Sequence, residues 1–276
     1  MAVTNLVYDV GAHNGSDTEY YLSLGHDVLA IEADPTLAAN IRQRFSREIA
    51  DGKVRVLHCG VAQTDGTLPF YVCPKLTIWN SFNPRWATSR GMAVVEVQVP
   101  TRRFESILSE YGAPFFLKVD IEGLDGLCIK AIEPKHAPKF VSFEANSDAF
   151  DLVLHLHGMG YKRFALVDQR TLRDVAIPQI GTYAHMKWAT TQRARRFSRQ
   201  HAWVAKLIKA TRPRQNGGRV QVEFRNGGAG PAPMLRRSGW QPIEEFSYTW
   251  TSLVGAGLLE TSWYDVHVAL EDECAT

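Results

Sequence analysis

The sequence predicts an α/β protein built on a mostly parallel sheet, and three observations carry that expectation. Over the first 167 residues, short apolar runs alternate with helix-like segments, as strands joined by crossover helices do. A glycine-bearing turn, Asp9-Val-Gly11-Ala12-His13-Asn14-Gly15, follows the first apolar run, and an acidic residue, Glu32, closes the second. Far downstream, residues 263–270 alternate apolar and polar positions and supply a last strand.

The elements follow in order. Residues 6–10 are the first strand, a helix covers residues 16–24, and residues 27–31 are the second strand. Asp34-Pro35 opens a helix, with Asp as N-cap and Pro in the first turn; its spacing puts Leu37, Ile41 and Phe45 on one face. Residues 54–57 are the third strand. Thr64-Asp65-Gly66 is a turn, which makes residues 67–72 a hairpin arm rather than a core strand. Residues 93–99 alternate and are expected to stop at Pro100, and residues 103–111 form a helix with Phe104, Ile107 and Leu108 inward. Residues 115–119 and 140–143 are the fourth and fifth strands, separated by a helix at residues 126–132. A helix over residues 147–158 sets Phe150, Leu154 and His157 on one stripe, and residues 161–167 are the sixth strand. The last strand, residues 263–270, alternates Tyr264, Val266, Val268 and Leu270.

Three regions result: a core at residues 1–167, a basic insert or lid for acceptor recognition at residues 168–262, and a final strand at residues 263–276 that rejoins the core sheet. The middle region is too long for a simple connection and carries Gly/Pro-rich punctuation after Asn216 and Asn226. The overall charge of +2 conceals an asymmetry. Residues 175–222 hold ten Lys and Arg and no Asp or Glu; without those ten, 21 basic residues face 29 acidic ones, a net charge of −8. Within the insert, residues 194–210 set Phe197, His201, Val204 and Ile208 on one helical face and Arg195, Arg199, Lys206 and Lys209 on the other. Such a helix either covers the core with a solvated face or contacts an anionic or glycan-like acceptor or a membrane surface. Trp188, Trp203, Trp240 and Trp250 line an acceptor pocket or form the insert's own small core. No apolar run approaches the roughly 20 residues that span a bilayer, and the first residues show neither a basic nor an apolar leader region. Cys59, Cys73, Cys128 and Cys274 form no CxxC pair and no metal-ligand spacing, which fits a reducing cytoplasm. Nothing in the sequence sets an oligomeric state.

The chemistry concentrates at the strand ends. A glycine at the first strand-to-helix turn lets the chain bend sharply where a Cβ would obstruct it. A dinucleotide site spaces its glycines GxGxxG so that a pyrophosphate rests on the helix N-terminus. Here the spacing is Asp9-x-Gly11-x-x-x-Gly15, without the third glycine. That suits S-adenosylmethionine (SAM), which has no phosphate but carries a sulfonium and an ammonium, so that a carboxylate is an asset. Glu32 closes the second strand about 20 residues on, in register to accept ribose hydroxyls, followed by Ala33. Its competing role, capping the next helix, is already filled by Asp34. Gly60, Val61 and Ala62 form a small apolar loop after the third strand, where an adenine ring belongs. His13 in the first loop is read as a hydrogen-bonded loop residue that lines the cofactor site, not as a catalyst. At the fourth strand, Lys118-Val-Asp120-Ile-Glu122-Gly123 places Lys118, Asp120 and Glu122 on one face if alternation continues. Buried charges are costly unless used or paired, so this set is either functional or a salt-bridged cluster.

Together these segments resemble the FkbM-type SAM-dependent methyltransferase family. The resemblance rests on Asp9 to Gly15, Glu32-Ala33-Asp34-Pro35, Thr101 to Leu108, and Leu117-Lys-Val-Asp-Ile-Glu-Gly123, with Asn80-Ser81-Phe82 matching a small polar motif. It covers about residues 5–167, and Glu105 stands where the family usually has Asp. It implies a Rossmann-like seven-stranded sheet, SAM as methyl donor, and an O-methyl product on the hydroxyl of a sugar, polyketide or related metabolite.

Asp120 and Glu122, then Glu144 at the end of the fifth strand, are the candidates for acceptor binding or general base, with Asp120 also beside the cofactor. These three carboxylates could gather a divalent cation through oxygen ligands, but no obligatory metal is assigned. Three rivals stand against this reading, the first being a non-catalytic binding protein that kept the fold, against which Asp9, Gly11 and Glu32 argue. A nucleic-acid-directed methyltransferase would use the basic insert, but the Asp/Asn-Pro-Pro-aromatic run expected after the fourth strand is replaced by Asp120-Ile-Glu-Gly. A nicotinamide-dependent oxidoreductase lacks its third glycine.

Overall fold

The computed structural model describes residues 5–88, 91–175, 239–259 and 263–270, with isolated positions at 177, 178, 182, 186, 188, 190 and 191. At its centre lies β1 (Leu6–Val10), a run buried on both faces, as a strand in a helix-covered parallel sheet must be. It pairs in parallel with β2 (Asp27–Glu32), and β2 with β3 (Val54–His58). On the other side β1 pairs in parallel with β7 (Phe116–Val119), and β7 with β8 (Phe140–Glu144). β11 (Tyr264–Ala269) then runs antiparallel between β8 and β9 (Arg163–Asp168). These are the seven strands expected, with the last one returning inside the sheet. A two-residue β10 (Arg173–Asp174) on the outer side of β9 makes an eighth.

A second, three-stranded sheet stands beside the first. β4 (Gly60–Val61) pairs in parallel with β6 (Val95–Arg102), and β5 (Gly66–Val72) pairs antiparallel with β6. Residues 67–72 thus stand outside the main sheet as expected, but no hairpin closes on the turn at residues 64–66: β5 pairs with β6, not with β4 across that turn. β6, however, runs through Pro100 instead of stopping there. Its β4 neighbour begins only opposite Thr101, so at Pro100 that flank is open and no ladder bond needs the missing N–H.

Helices cover both faces of the main sheet. α1 (Ser16–Ser23) and α2 (Pro35–Arg44) lie on one side, where Tyr21 packs with Val7, Phe116 and Phe140, and Ile41 and Phe45 with Ala30 and Val54. A short α3 (Ser46–Ala50) follows, and α4 (Pro84–Thr88) leads into β6. α5 (Phe104–Tyr111), α6 (Asp125–Lys130) and α7 (Ala149–Gly158) line the opposite face. α5 buries Phe104, Ile107 and Leu108 as its spacing predicts, each contributing about 2 kcal/mol by leaving water. The stripe expected on α7 is wrong: the helix buries Ala149, Leu152, Val153 and Leu156, while Leu154 is 47% exposed and His157 is also exposed. Its sequence is apolar nearly all round, so periodicity alone does not select the inward face.

α8 (Ile243–Gly255) also differs from expectation. It falls inside the region read as an insert, yet Phe246, Trp250 and Leu253 join the main core with Phe164 and Leu166. Trp188 packs against the same core and Trp240 against the smaller cluster on the α1 face. The basic stretch at residues 194–210, Trp203 and Cys274 lie outside the described residues. Cys59, Cys73 and Cys128 are free and buried. Among the described residues, no helix is long and apolar enough to cross a membrane.

Candidate functional site

The chain order reverses between β1 and β7: β2 and β3 extend the sheet one way, β7 and β8 the other. Loops leaving the carboxyl ends of such strands diverge and open a crevice. A cavity of about 380 Å³ lies there. Its walls come from the β1–α1 turn (Gly11 to Asn14, Ser16, Asp17), the end of β2 (Glu32, Ala33), Cys59 to Val61, and the end of β7 (Lys118, Asp120 to Glu122). Thr77, Ile78, Asn80, Ser81 and Phe82, carried between β5 and α4, close the remaining side. Gly60 makes room for that side, since a Cβ would come within 2.1 Å of the Phe82 ring.

The β1–α1 turn is shaped by the protein's own atoms. Gly11 has φ +80, and a Cβ would sit 1.9 Å from the Asp120 carbonyl oxygen. At Gly15, with φ +78, a Cβ would meet the Phe45 ring at 2.7 Å. Both glycines therefore answer to packing, and Gly15 lies outside the cavity wall. His13 lines the cavity, and its backbone N–H donates to Glu32 Oε2 at 2.7 Å. Its ring Nε2 meets Thr77 Oγ1 at 2.8 Å, tying the turn to the closing segment. Burial, then the nearby Lys118, holds the His13 pKa below the ordinary value, against the pull of Asp120 and Asp34.

Glu32 is 7% exposed. Oε2 accepts from His13, and Oε1 accepts from the Asp34 N–H at 2.8 Å. Each oxygen keeps a lone pair. Burial pushes its carboxyl up to about 7, against the pull of those two backbone donors. Asp34 caps α2 as expected, accepting from Thr36 N–H (2.7 Å) and Leu37 N–H (3.1 Å) through Oδ1. Its other oxygen accepts from the Asn80 amide at 2.8 Å, which pins the closing segment to α2.

Beneath the turn, Lys118 is 3% exposed, with its ammonium 3.1 Å from Asp9 Oδ1, 3.3 Å from Asp17 Oδ2 and 3.7 Å from Asp120 Oδ2. It also donates to the Gly11 carbonyl at 3.1 Å. Burial opposes this charge, but Asp9, Asp17 and Asp120 outweigh it and hold the Lys118 pKa well above its ordinary value. Asp9 is fully buried and accepts from Thr18 Oγ1 at 2.7 Å. It does not line the cavity; the first motif carboxylate is ion-paired with Lys118. The salt-bridged cluster, which the sequence left as one of two readings of the Lys118 set, is present at Lys118.

A second group of acids gathers at the carboxyl ends of β7 and β8 and the amino end of the antiparallel β11. β7 ends at Val119, so strand alternation does not reach Glu122; it is carried past the strand end at φ +53. Burial, then Asp120, Glu144 and Asp125, pushes Glu122 up to about 8, although the Trp86 indole N–H bonds to it. Asp125, 3% exposed, is pushed to about 7 by burial and by Asp120, and accepts from the Ile121 N–H at 3.2 Å. Asn146 Nδ2 donates to Asp125 Oδ2 (3.3 Å) and Glu144 Oε2 (3.1 Å). Glu144, its pKa raised by burial and by Asp120, stands outside the cavity wall. Asp265 is opposite Glu144 in the β8–β11 ladder and accepts from the Gln169 amide. Among the described residues, no three His, Cys, Asp or Glu side chains converge tightly enough to hold a metal ion.

Of the residues singled out from sequence, Gly11, Ala12, His13, Asn14, Glu32, Ala33, Gly60, Val61, Asp120 and Glu122 share the cavity, whereas Asp9, Gly15, Ala62 and Glu144 stand behind or beside it. Asp17, Thr77, Ile78, Asp125 and Asp265 were missed. Asp17 hid in an ordinary first helical turn, where acids are common. Asp265 alternates with Tyr264 and Val266, so it read as the solvent side of a strand that proves buried on both faces.

A sheet with this strand order, reversing at a ligand-sized cavity, defines a doubly wound α/β domain of the Rossmann-like class. The sequence model of the methyltransferase FkbM domain matches residues 9–163, and the chain belongs to that family. No curated protein matches. Among solved structures, the FkbM methyltransferase from Methylobacillus flagellatus KT is 19% identical, with a TM-score of 0.41 over 59% of this chain and 40% of its own. The chain thus spans two-fifths of that protein's length. A precorrin-6y C5,15-methyltransferase from Geobacter metallireducens GS-15 is 17% identical, with a TM-score of 0.34 over 64% of this chain and 70% of its own. A SAM-dependent methyltransferase from Geobacter sulfurreducens, solved with S-adenosyl-L-homocysteine (SAH), is 9% identical, with a TM-score of 0.32 over 97% and 85%.

Proposed function

We propose that this chain is a SAM-dependent methyltransferase acting on the hydroxyl of a small organic acceptor. One observation carries the reading: Asp17, Glu32, Asp120 and Glu122 line the cavity, and its one lysine is already held by Asp9, Asp17 and Asp120. Such a wall favours a cation and repels the pyrophosphate of a dinucleotide. Its volume falls among small-ligand sites.

The residues fit the group. Glu32 keeps lone pairs toward the cavity for the ribose hydroxyls, and the turn from Gly11 to Asn14 suits the amino-acid end. Cys59 to Val61, with Ile78 and Phe82, offer an apolar slot for the adenine. When bound, SAM supplies an electrophilic methyl group on a sulfonium. The protein's part is to align the acceptor, exclude water and receive the hydroxyl proton. Asp120 and Glu122 stand nearest that task in the cavity wall, with Glu144 beside them. Glu122, pushed up to about 8, is matched to taking a proton near neutral pH.

The test is calorimetric titration with SAM and SAH. Either ligand at 100 times its Kd should stabilise the fold by about 2.7 kcal/mol. Glu32→Ala should abolish most binding, whereas Asp120→Ala should spare it and lose turnover. A folded sample that binds neither ligand overturns the proposal.

A further inference from the structure

Resting on that reading, we propose that the acidic carboxyl edge beside the cavity is an acceptor subsite for a protonated amine, formed by Glu122, Asp125, Glu144 and Asp265 with Asn146 and Gln169. The acceptor would thus carry an ammonium as its handle near the group that is methylated.

The first argument is charge. Among the described residues, no Lys, Arg or His forms an ion pair with any of these four carboxylates, and Lys118, on the same sheet face, is engaged by Asp9, Asp17 and Asp120. Asn146 bridges Asp125 and Glu144, which fixes their positions but brings no charge. The second argument is independent. Asp265 is 4% exposed; Oδ1 takes the Gln169 amide, while Oδ2 is buried with no hydrogen-bond partner. A buried carboxylate oxygen without a donor is costly, and an entering N–H would satisfy it. Direct pairing of Asp265 with Glu144 across an antiparallel ladder sets both side chains on the same face of the sheet, so this oxygen belongs to the floor under Glu144. Among the described residues, no three of these acids gather tightly enough to hold a metal ion. An ammonium is held by fewer oxygens, and each charge-assisted bond outweighs its neutral counterpart.

The experiment uses the full chain saturated with SAH. Matched compounds differing only by ammonium for hydroxyl (ethanolamine and ethylene glycol, putrescine and 1,4-butanediol, glucosamine and glucose) are titrated at constant ionic strength. The ammonium member should bind about tenfold or more tightly in at least one pair. That preference should fall in both Glu144→Gln and Asp265→Asn, with SAH affinity unchanged. If Asp265→Asn does not fold, Glu144→Gln decides alone. A chain that binds SAH but prefers no ammonium, keeps its preference in the variants, or loses the amine to equimolar Mg²⁺ overturns this inference. A chain that fails to bind SAH overturns the proposed function instead.

Discussion

Glu32 offers the sharpest test of the site's electrostatics, because its cost is separable by pH. Burial raises its carboxyl from 4.5 to about 7. Between those values the native chain holds a proton that the unfolded chain has released, so native stability falls as pH rises across that window. For this one group the loss is about 3 kcal/mol, complete above the folded pKa. Glu32→Gln removes the titration and keeps the shape. It also costs something at every pH, because an amide nitrogen cannot accept from either the His13 or the Asp34 N–H, and one buried donor is orphaned for about 1–3 kcal/mol. The variant should therefore be less stable than wild type at pH 5 and gain on it by about 3 kcal/mol by pH 8, where the two become comparable. Urea unfolding of both proteins at half-unit pH steps measures the difference. Glu122 and Asp125, also pushed up, titrate in both chains and cancel. A difference that stays constant from pH 5 to pH 8 would refute the account of Glu32 as a buried carboxylate held partly protonated.

Three further outcomes follow from packing. Lys118→Met should destabilise by about 3–5 kcal/mol by stranding Asp9 and Asp17, and adding Asp9→Leu should recover part of the loss in chemical denaturation; no recovery would mean the pair is not coupled. Gly11→Ala should lower the thermal midpoint and SAH affinity together, since the new Cβ meets the Asp120 carbonyl at 1.9 Å in a backbone at φ +80. A variant that binds SAH normally would show that the turn has slack. On α7, Leu156→Ala should cost about 2–5 kcal/mol and Leu154→Ala under about 0.5, and reversed values would restore the face read from sequence.

What the sequence disclosed follows from what is local. The Gly11 turn, Glu32 and the Asp34 cap lie close together in sequence, and Glu32 and the cap make their backbone hydrogen bonds with residues nearby in the chain. The α5 face was legible for the same reason: Phe104, Ile107 and Leu108 recur at helical spacing among polar neighbours. Asp125, Asn146 and Asp265 were not, because β11 brings residue 265 beside residue 144 by a pairing that no local pattern announces. The same non-local return conceals α8, whose apolar face packs on strands about 80 residues earlier in the chain. Asp9 was seen, but its buried ion pair with Lys118 was not. A carboxylate at a strand end reads as a ligand contact only while Lys118, far along the sequence on β7 but paired beside it in the sheet, is unplaced.

That ion pair changes where selectivity comes from. The turn at Gly11 is held by the Asp120 carbonyl packed against it, by Lys118 donating to its carbonyl, and by the His13 N–H bonded to Glu32. None of these contacts requires a ligand, so the cavity is shaped in advance and little ordering is left to oppose binding. A preformed wall cannot discriminate by closing around its guest. It discriminates by charge, and the charges on this wall are Asp17, Glu32, Asp120 and Glu122 with one lysine spoken for. Two of those acids, Glu32 and Glu122, are pushed to about 7 and about 8 by their surroundings, so they ionise fully near neutral pH only when a cation shares the cavity. Ligand charge and proton release are then one event: a cationic ligand should expel protons from the site on binding, and its uncharged analogue should expel fewer.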